Sequence, residues 1–372
     1  MKNPSRLRRL LLPAALVVFV PFAHAGDGSR DGGGTTPGTE EVGGVGNKPP
    51  RAAAAPGIPA SRGTRVSYTS SGTAAGDAHD WLLKMNEAPR RLDFEGAFVY
   101  QRGTQLEAMR VVHKAEKGAV RERLVSLNGA AREIVRTESE VVCYLPDQKS
   151  VVVEYRKANA RGFPTILPGR LPELGEHYVI QLGGTERIAG RAAQQLVIRP
   201  RDAYRYGYRL WADYDTGLLL KADLLDGTGR PLEQFMFAQI SVGTVPAAAL
   251  QPETPGEGMV WYRESGTPPA APAQKWNATR LPKGFKLSHQ VTRNVPTRNK
   301  TVEHLVYSDG LATVSLFVEP LDKDEKPGMQ GLSHMGAVHA YGARVDGHQV
   351  TAVGEVPAET VSLIARSVAP AR

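Results

Sequence analysis

The sequence predicts an α+β protein, mainly antiparallel β, in two domains of unequal size. Three observations predict it. Between residues 94 and 242, short apolar or alternating runs of strand length follow one another, separated by turns too short for a parallel crossover. Helical periodicity is confined to one stretch before those runs and one at the C-terminal end. A proline-rich stretch at 247–275 divides the strands into a large and a small group.

In chain order, residues 1–25 come first. Lys2, Arg6, Arg8 and Arg9 precede a short apolar run over 10–22, and Ala23-His24-Ala25 follows it. This is the layout of a secretory signal peptide with an A-x-A cleavage site. Pro13 and Pro21 break the run, which falls short of the ~20 apolar residues of a membrane span. The chain has 46 Lys+Arg against 38 Asp+Glu, a net charge of +8. Removal of the signal takes away four basic and no acidic residues, leaving 42 against 38, or +4. So small an excess, spread along an exported chain, argues against a nucleic-acid partner.

Residues 26–76 are rich in Gly, Pro, Ser, Thr and Ala, with four acids and five bases that nearly cancel. Such a composition cannot offset the entropy of ordering, so this stretch reads as a disordered arm. Order is expected from Asp77, in a large domain spanning 77–246. Trp81, Leu82, Met85 and Ala88 fall at helical spacing, with Asp77 or Asp80 as the N-cap and Pro89 as the end.

Strands follow at 94–101, 105–113, 120–127, 132–137, 141–145 and 151–155, with Asn128-Gly129 and Pro146-Asp147 among the turns. Cys143, the only cysteine, sits in the apolar run Val141-Val142-Cys143-Tyr144-Leu145 and reads as a small core residue, so no internal disulfide forms. Residues 158–176 interrupt the meander. Pro164, Pro168 and Pro172 exclude a regular helix there, while Phe163, Ile166, Leu167 and Leu171 are apolar. Two readings of that loop stand side by side: a lid or ligand-binding loop, and a plug folded into the core.

Further strands are expected near 178, then at 194–199, 204–214, 218–225 and 232–242. In the third of these, Tyr204, Tyr206, Tyr208 and Leu210 alternate with Arg205, Arg209 and Trp211. Neither face is cleanly polar, which suits a curved sheet wrapped around a helix or an apolar ligand. Arg205 and Arg209 suit a phosphorylated head group or an acidic peptide, and equally a solvated surface.

The linker at 247–275 contains Met259, Trp261 and Tyr262, so part of it is expected to dock. A small domain at 276–372 then has hairpins around Ser308-Asp309-Gly310 and Asp346-Gly347-His348, and a helix opened by Pro357 with Val361, Ile364, Ala365 and Val368 as its apolar stripe.

Chemistry is sparse. HExxH, G-x-S-x-G, S-x-x-K, Walker and C-x-x-C patterns are all missing. His334, His339 and His348 lack carboxylate or thiolate company at ligand spacing, so no metal, no cofactor and no catalytic residue is nominated. The expectation is a binding protein, not an enzyme.

The chain resembles the RseB/MucB family of periplasmic regulators of the envelope-stress sigma factor. The likeness is carried by Met85-Asn86 with Phe94, by Arg132-Glu133-Ile134-Val135, and by Arg205-Tyr206-Gly207-Tyr208 with Trp211 and Asp213. It continues through Asp223-Leu224-Leu225-Asp226 and Leu232-Glu233-Gln234-Phe235. The small domain adds Trp276, Leu281-Pro282-Lys283-Gly284-Phe285, Tyr307-Ser308-Asp309-Gly310-Leu311 and Val353-Gly354-Glu355-Val356-Pro357. The Gly-rich arm departs from the family pattern.

The resemblance implies a large domain like LolA and LolB, a half-open β-barrel around helices with an apolar cavity, plus the smaller α+β domain. It implies binding to the periplasmic domain of a membrane-bound anti-sigma factor, protection of that domain from proteolysis, and release by lipid or lipopolysaccharide fragments. A homodimer is left open. Under this reading Arg205, Tyr206, Tyr208, Trp211, Phe285 and Tyr307 are candidates for the partner site or its framework, each equally suited to packing. Phe163, Ile166, Leu167 and Leu171 are the candidate ligand contacts. The rival reading is a periplasmic lipid or lipoprotein carrier, for which the small domain has no evident use.

Overall fold

The computed structural model describes residues 74–116, 119–155, 163, 174–263, 275–295, 300–322, 325 and 328–371. The expected signal peptide and nearly all of the expected arm lie outside these residues, as do Ile166, Leu167 and Leu171.

Helix α1 (Ala74–Arg91) opens the fold. It starts before Asp77, so neither Asp77 nor Asp80 caps it, and Pro89 lies in its last turn instead of ending it. Strands β1 (Phe94–Arg102), β2 (Gln105–Glu116), β3 (Ala119–Ser126), β4 (Glu133–Arg136), β5 (Glu140–Leu145) and β6 (Ser150–Tyr155) form one antiparallel meander. After the short helix α2 (Leu174–His177), strands β7 (Tyr178–Ile188), β8 (Arg191–Pro200), β9 (Gly207–Asp213), β10 (Leu219–Leu225) and β11 (Pro231–Val242) form a second. Antiparallel pairing of β1 with β11 joins the two.

The expected linker contributes β12 (Val260–Arg263), which pairs parallel to β6. The result is a twelve-stranded sheet in the order β12-β6-β5-β4-β3-β2-β1-β11-β10-β9-β8-β7, with β12 and β7 as its two edges. Helix α1 packs against both β2 and β7, which have five strands between them, so the sheet curls around the helix. Leu82, Met85 and Ala88 are buried there, as their helical spacing predicts.

His113 on β2 ties α1 down. Its Nε2 lies 2.7 Å from the Pro89 carbonyl and its Nδ1 3.0 Å from Glu122, and its ring stacks on Phe94. A carbonyl only accepts, so Nε2 carries the proton. Cys143 is buried, and burial pushes its thiol up to about 11, as befits an inert core position.

The expected strand at 204–214 begins only at Gly207. Asp202 is the cause: its Oδ1 accepts the Tyr204 N–H (3.0 Å) and the Arg205 Nε–H (3.1 Å), which turns the chain before the ladder starts.

The C-terminal part has a two-stranded sheet of β13 (Trp276–Ala278) and β20 (Val368–Pro370). Its six-stranded sheet contains β14 (Lys286–Val295), β15 (Lys300–Ser308), β16 (Thr313–Pro320), β17 (Gly331–Met335), β18 (Val338–Val345) and β19 (His348–Gly354), in the order β14-β15-β16-β19-β18-β17. Helix α3 (Ala358–Arg366) packs on β18 and β19, burying Val361, Ile364 and Ala365 against Leu305, Leu316 and Val350. Val368, expected on the helix stripe, instead pairs with Ala278 in β20. The twelve-stranded sheet and these two sheets belong to one compact unit.

Candidate functional site

Strand alternation puts Phe94, Phe98, Tyr100 and Arg102 on one face of β1. Register continues that face sideways. Phe237 lies opposite Phe98, Phe235 opposite Tyr100 and Glu233 opposite Arg102, then Ala222, Leu210 and Leu196 extend the Phe235 row over β10, β9 and β8. All of these residues are buried on the inner side of the curl.

Three different groups cover this inner face along the strand direction. At the Phe94 and His113 end lies α1, whose Trp81 ring meets Tyr214 at 5.5 Å and whose Lys84 donates to the Tyr214 carbonyl at 2.6 Å. In the middle, Phe163 stacks on Phe98 with ring centroids 4.6 Å apart and meets Phe235 at 5.3 Å and Phe237 at 6.1 Å edge-on. Phe163 is only 6% exposed. At the Arg102 and Glu233 end, the small domain closes the face: Ala337, in its β17–β18 turn, packs against Tyr206 and Leu224, with Tyr208 and Leu232 alongside.

The contact between domains is built on Arg205. Its guanidinium donates to Asp309 Oδ2 at 2.7 Å and to the Lys283 carbonyl at 2.6 Å, and it lies over the rings of Phe285 and Tyr178 at 5.3 and 5.5 Å. The Tyr178 hydroxyl donates to the same Asp309 oxygen at 2.9 Å, and burial raises the Tyr178 pKa far above its ordinary value. Nearby, the Thr360 hydroxyl donates to the Tyr204 carbonyl at 2.6 Å. His339 Nδ1 lies 2.8 Å from the Val356 carbonyl and 3.3 Å from the Tyr206 hydroxyl.

A carboxyl pair lies in the same contact. Glu233 accepts from Arg102 Nε at 2.7 Å and from the Tyr100 hydroxyl, and hydrogen-bonds Glu355 of the small domain. Burial, then the neighbouring Glu355 carboxyl, pushes Glu233 up to about 9. Burial also raises Glu355, and Arg102 counteracts it. Tyr206 is pushed up to about 12 by burial and by the Glu355 charge. The arrangement therefore holds one proton between two carboxyls, with Arg102 balancing the remaining charge.

These positions sort the candidate residues. Arg205, Tyr206, Tyr208 and Phe285 come together between the domains. Trp211 is on the opposite face of β9, covered by Lys221, whose ammonium lies 4.1 Å from the ring centroid. Tyr307 is in the small-domain core, where its hydroxyl accepts the Ala278 N–H at 2.9 Å and donates to Asn277 at 3.0 Å. Of the loop residues, Phe163 reaches the inner face. Sequence reasoning missed Asp309, Tyr178, Glu233 and Glu355. Asp309 reads locally as a turn residue, which it also is, since its Oδ1 accepts the Leu311 and Ala312 N–H groups. Nothing near Glu233 or Glu355 in the chain shows that they will meet.

Comparison with known proteins agrees with this architecture. Residues 77–254 match the MucB/RseB N-terminal domain and residues 270–369 the MucB/RseB C-terminal domain. The sigma factor AlgU regulatory protein MucB of Pseudomonas aeruginosa is 36% identical over 306 residues, covering 80% of this chain and 92% of MucB. The sigma-E factor regulatory protein RseB of Escherichia coli K12 is 26% identical over 313 residues, 81% of this chain and 93% of RseB. The crystal structure of MucB in complex with MucA(peri) superposes with a TM-score of 0.63 at 34% identity, covering 80% of this chain and all of MucB in that structure. A crystal structure of MucB gives a TM-score of 0.57 at 35% identity over 80% of this chain and 98% of that one. With both domain patterns matched in order and a relative above one-third identity along nearly its whole length, the chain belongs to the MucB/RseB family.

Proposed function

We propose that this chain is a periplasmic regulator of a sigma factor, which binds the periplasmic domain of a membrane-bound anti-sigma factor and shields it from regulated proteolysis. The observation that carries this reading is the match, over four-fifths of the chain, to MucB as it stands in complex with MucA(peri). The signal-like residues 1–25 support export.

Lipid or lipopolysaccharide fragments serve as the releasing signal in this reading. A ligand frees a partner only by favouring the partner-free state, so it must act on a surface whose arrangement the partner also senses. The inner face supports this role, because it is apolar in its middle and closed at one end by the small domain. The curled sheet likewise supports a LolA-like half-open barrel. Within it, Arg205, Tyr206, Tyr208 and Phe285 are the framework that sets the two lobes, and Tyr307 orders the small-domain core behind them.

The test is reconstituted cleavage of the cognate anti-sigma periplasmic domain by its site-one protease. Saturating mature protein should slow cleavage at least tenfold, and lipopolysaccharide fragments should restore it. Unchanged cleavage overturns the reading, and lipid transfer between membranes without anti-sigma binding would install the carrier in its place.

A further inference from the structure

The three histidines that the sequence gathers within residues 334–348 part company in the fold. His348 opens β19, where its ring meets Trp276 at 4.7 Å and its Nδ1 lies 2.8 Å from the Asp346 carbonyl. His334 on β17 and His339 on β18 come together instead. They stand directly opposite each other in the ladder, one pair back from Met335 and Val338, which close the two-residue turn Gly336-Ala337. That register makes them a non-hydrogen-bonded pair, the kind in which facing side chains approach most closely. Their ring centroids are 5.7 Å apart.

The two rings also keep the right atoms available. His339 Nδ1 lies 2.8 Å from the Val356 carbonyl, which only accepts, so in the neutral ring Nδ1 carries the proton and Nε2 keeps its lone pair. A bond from one ring N–H to a backbone carbonyl is the contact that orients metal-ligating histidines and raises their basicity. Among the described residues, neither Nε2 of His339 nor either nitrogen of His334 has a hydrogen-bond partner, and His334 is exposed.

We propose that His334 and His339 form a two-point chelate for a divalent transition-metal ion, with Cu²⁺ the preferred one. This site is independent of the sigma-factor reading. An ion ~2.0 Å from each ring nitrogen holds the two centroids ~4.5 Å apart at a right angle and ~5.2 Å apart at the tetrahedral angle, so the exposed His334 ring need close by only about an ångström. Among the described residues no third histidine, cysteine or carboxylate completes a metal-binding group, so water fills the remaining positions. Two imidazole nitrogens with water oxygens suit the tetragonal preference of Cu²⁺, which also heads the affinity order of the divalent ions. The bound ion clips β17, an edge strand, to β18, whose His339 lies 3.3 Å from the Tyr206 hydroxyl in the domain contact.

The experiment titrates the mature full chain with Cu²⁺ at neutral pH in a non-coordinating buffer, followed by calorimetry and electron paramagnetic resonance. The unchanged protein should bind one ion at this site, with a spectrum showing two imidazole nitrogens. His334→Gln, with its folding checked by circular dichroism, should bind at least tenfold more weakly and retain one nitrogen, whereas His348→Gln should match the unchanged protein. Cu²⁺ should also raise the urea midpoint of the unchanged protein and not that of His334→Gln, because an ion held only by the folded state stabilises it. Equal affinity in the unchanged protein and His334→Gln, or a spectrum with fewer than two nitrogens in the unchanged protein, makes the rings an ordinary cross-strand contact and overturns the site.

Discussion

Asp309, in the β15–β16 turn of the small domain, closes a buried ion pair at 2.7 Å with Arg205, which lies just before β9 of the large sheet. Both side chains are fully buried. The pair is also hydrogen-bonded on every side. Tyr178 and the turn N–H groups satisfy Asp309, and Asp202 and the Lys283 carbonyl satisfy Arg205. That saturation lets two charges remain in a low-dielectric contact.

Removing one member of the pair leaves the other charge stranded. Asp309→Ala is expected to lower the free energy of unfolding by about 3–5 kcal/mol, measured by urea titration at neutral pH. Arg205→Met combined with Asp309→Leu should recover much of that loss. A single-variant loss below about 1 kcal/mol would mean that the domains are held elsewhere.

The Glu233 and Glu355 pair gives the domain contact a pH dependence whose sign can be worked out. Glu233 is pushed up to about 9 in the folded protein, from 4.5 in the unfolded chain. Between those values the folded state holds the extra proton, so the pair's contribution to stability is complete below about 4.5 and falls as pH rises towards 9, by at most ~1.4 kcal/mol per pH unit. Asp93, Glu133, Asp213 and Asp226 are all held below their ordinary values, so their contribution is lost only on acidification and leaves this window clear. Glu355→Gln replaces the shared proton with an amide N–H that donates to Glu233. The variant should therefore show a flatter decline in urea midpoint between pH 5 and 9, and a slope equal to that of the unchanged protein would refute proton sharing.

Much of this fold is legible locally. The strands over 94–155 and 178–242 announce themselves by β-branched runs ended by turn pairs, because each is stabilised by its immediate neighbour in the chain. The elements that escape depend on distant partners. β12 lies in a proline-rich stretch and exists because β6 offers it an edge, and β17 has little apolar pattern of its own. The site divides the same way. Phe163 stood out as an apolar residue in an irregular loop, whereas Arg205 showed its charge and its alternation but not its destination. Its partner Asp309 is 104 positions away, so neither residue type nor spacing could join them. Alternation along the strand already sets Trp211 opposite Tyr206 and Tyr208, and the structure keeps it on that other face.

Gly284 shows that a short motif can have a long-range reason. It sits at φ +87, and a Cβ there would stand 2.1 Å from Nε2 of His177, the last residue of α2 in the large domain. The turn therefore needs glycine twice, once for its backbone and once for the close approach. Gly129 provides the control, with φ +70 and nothing within 4 Å of the added carbon. Gly129→Ala should cost only the left-handed strain, about 1 kcal/mol. Gly284→Ala should cost roughly 2–3 kcal/mol, because the His177 ring must also leave its buried position. The excess belongs to the domain contact, so it should shrink in the Asp309→Ala background, where that contact is already weakened. A urea-unfolding cycle over Gly284→Ala and Asp309→Ala measures this coupling, and strictly additive losses would show that the turn and the Arg205 ion pair act independently.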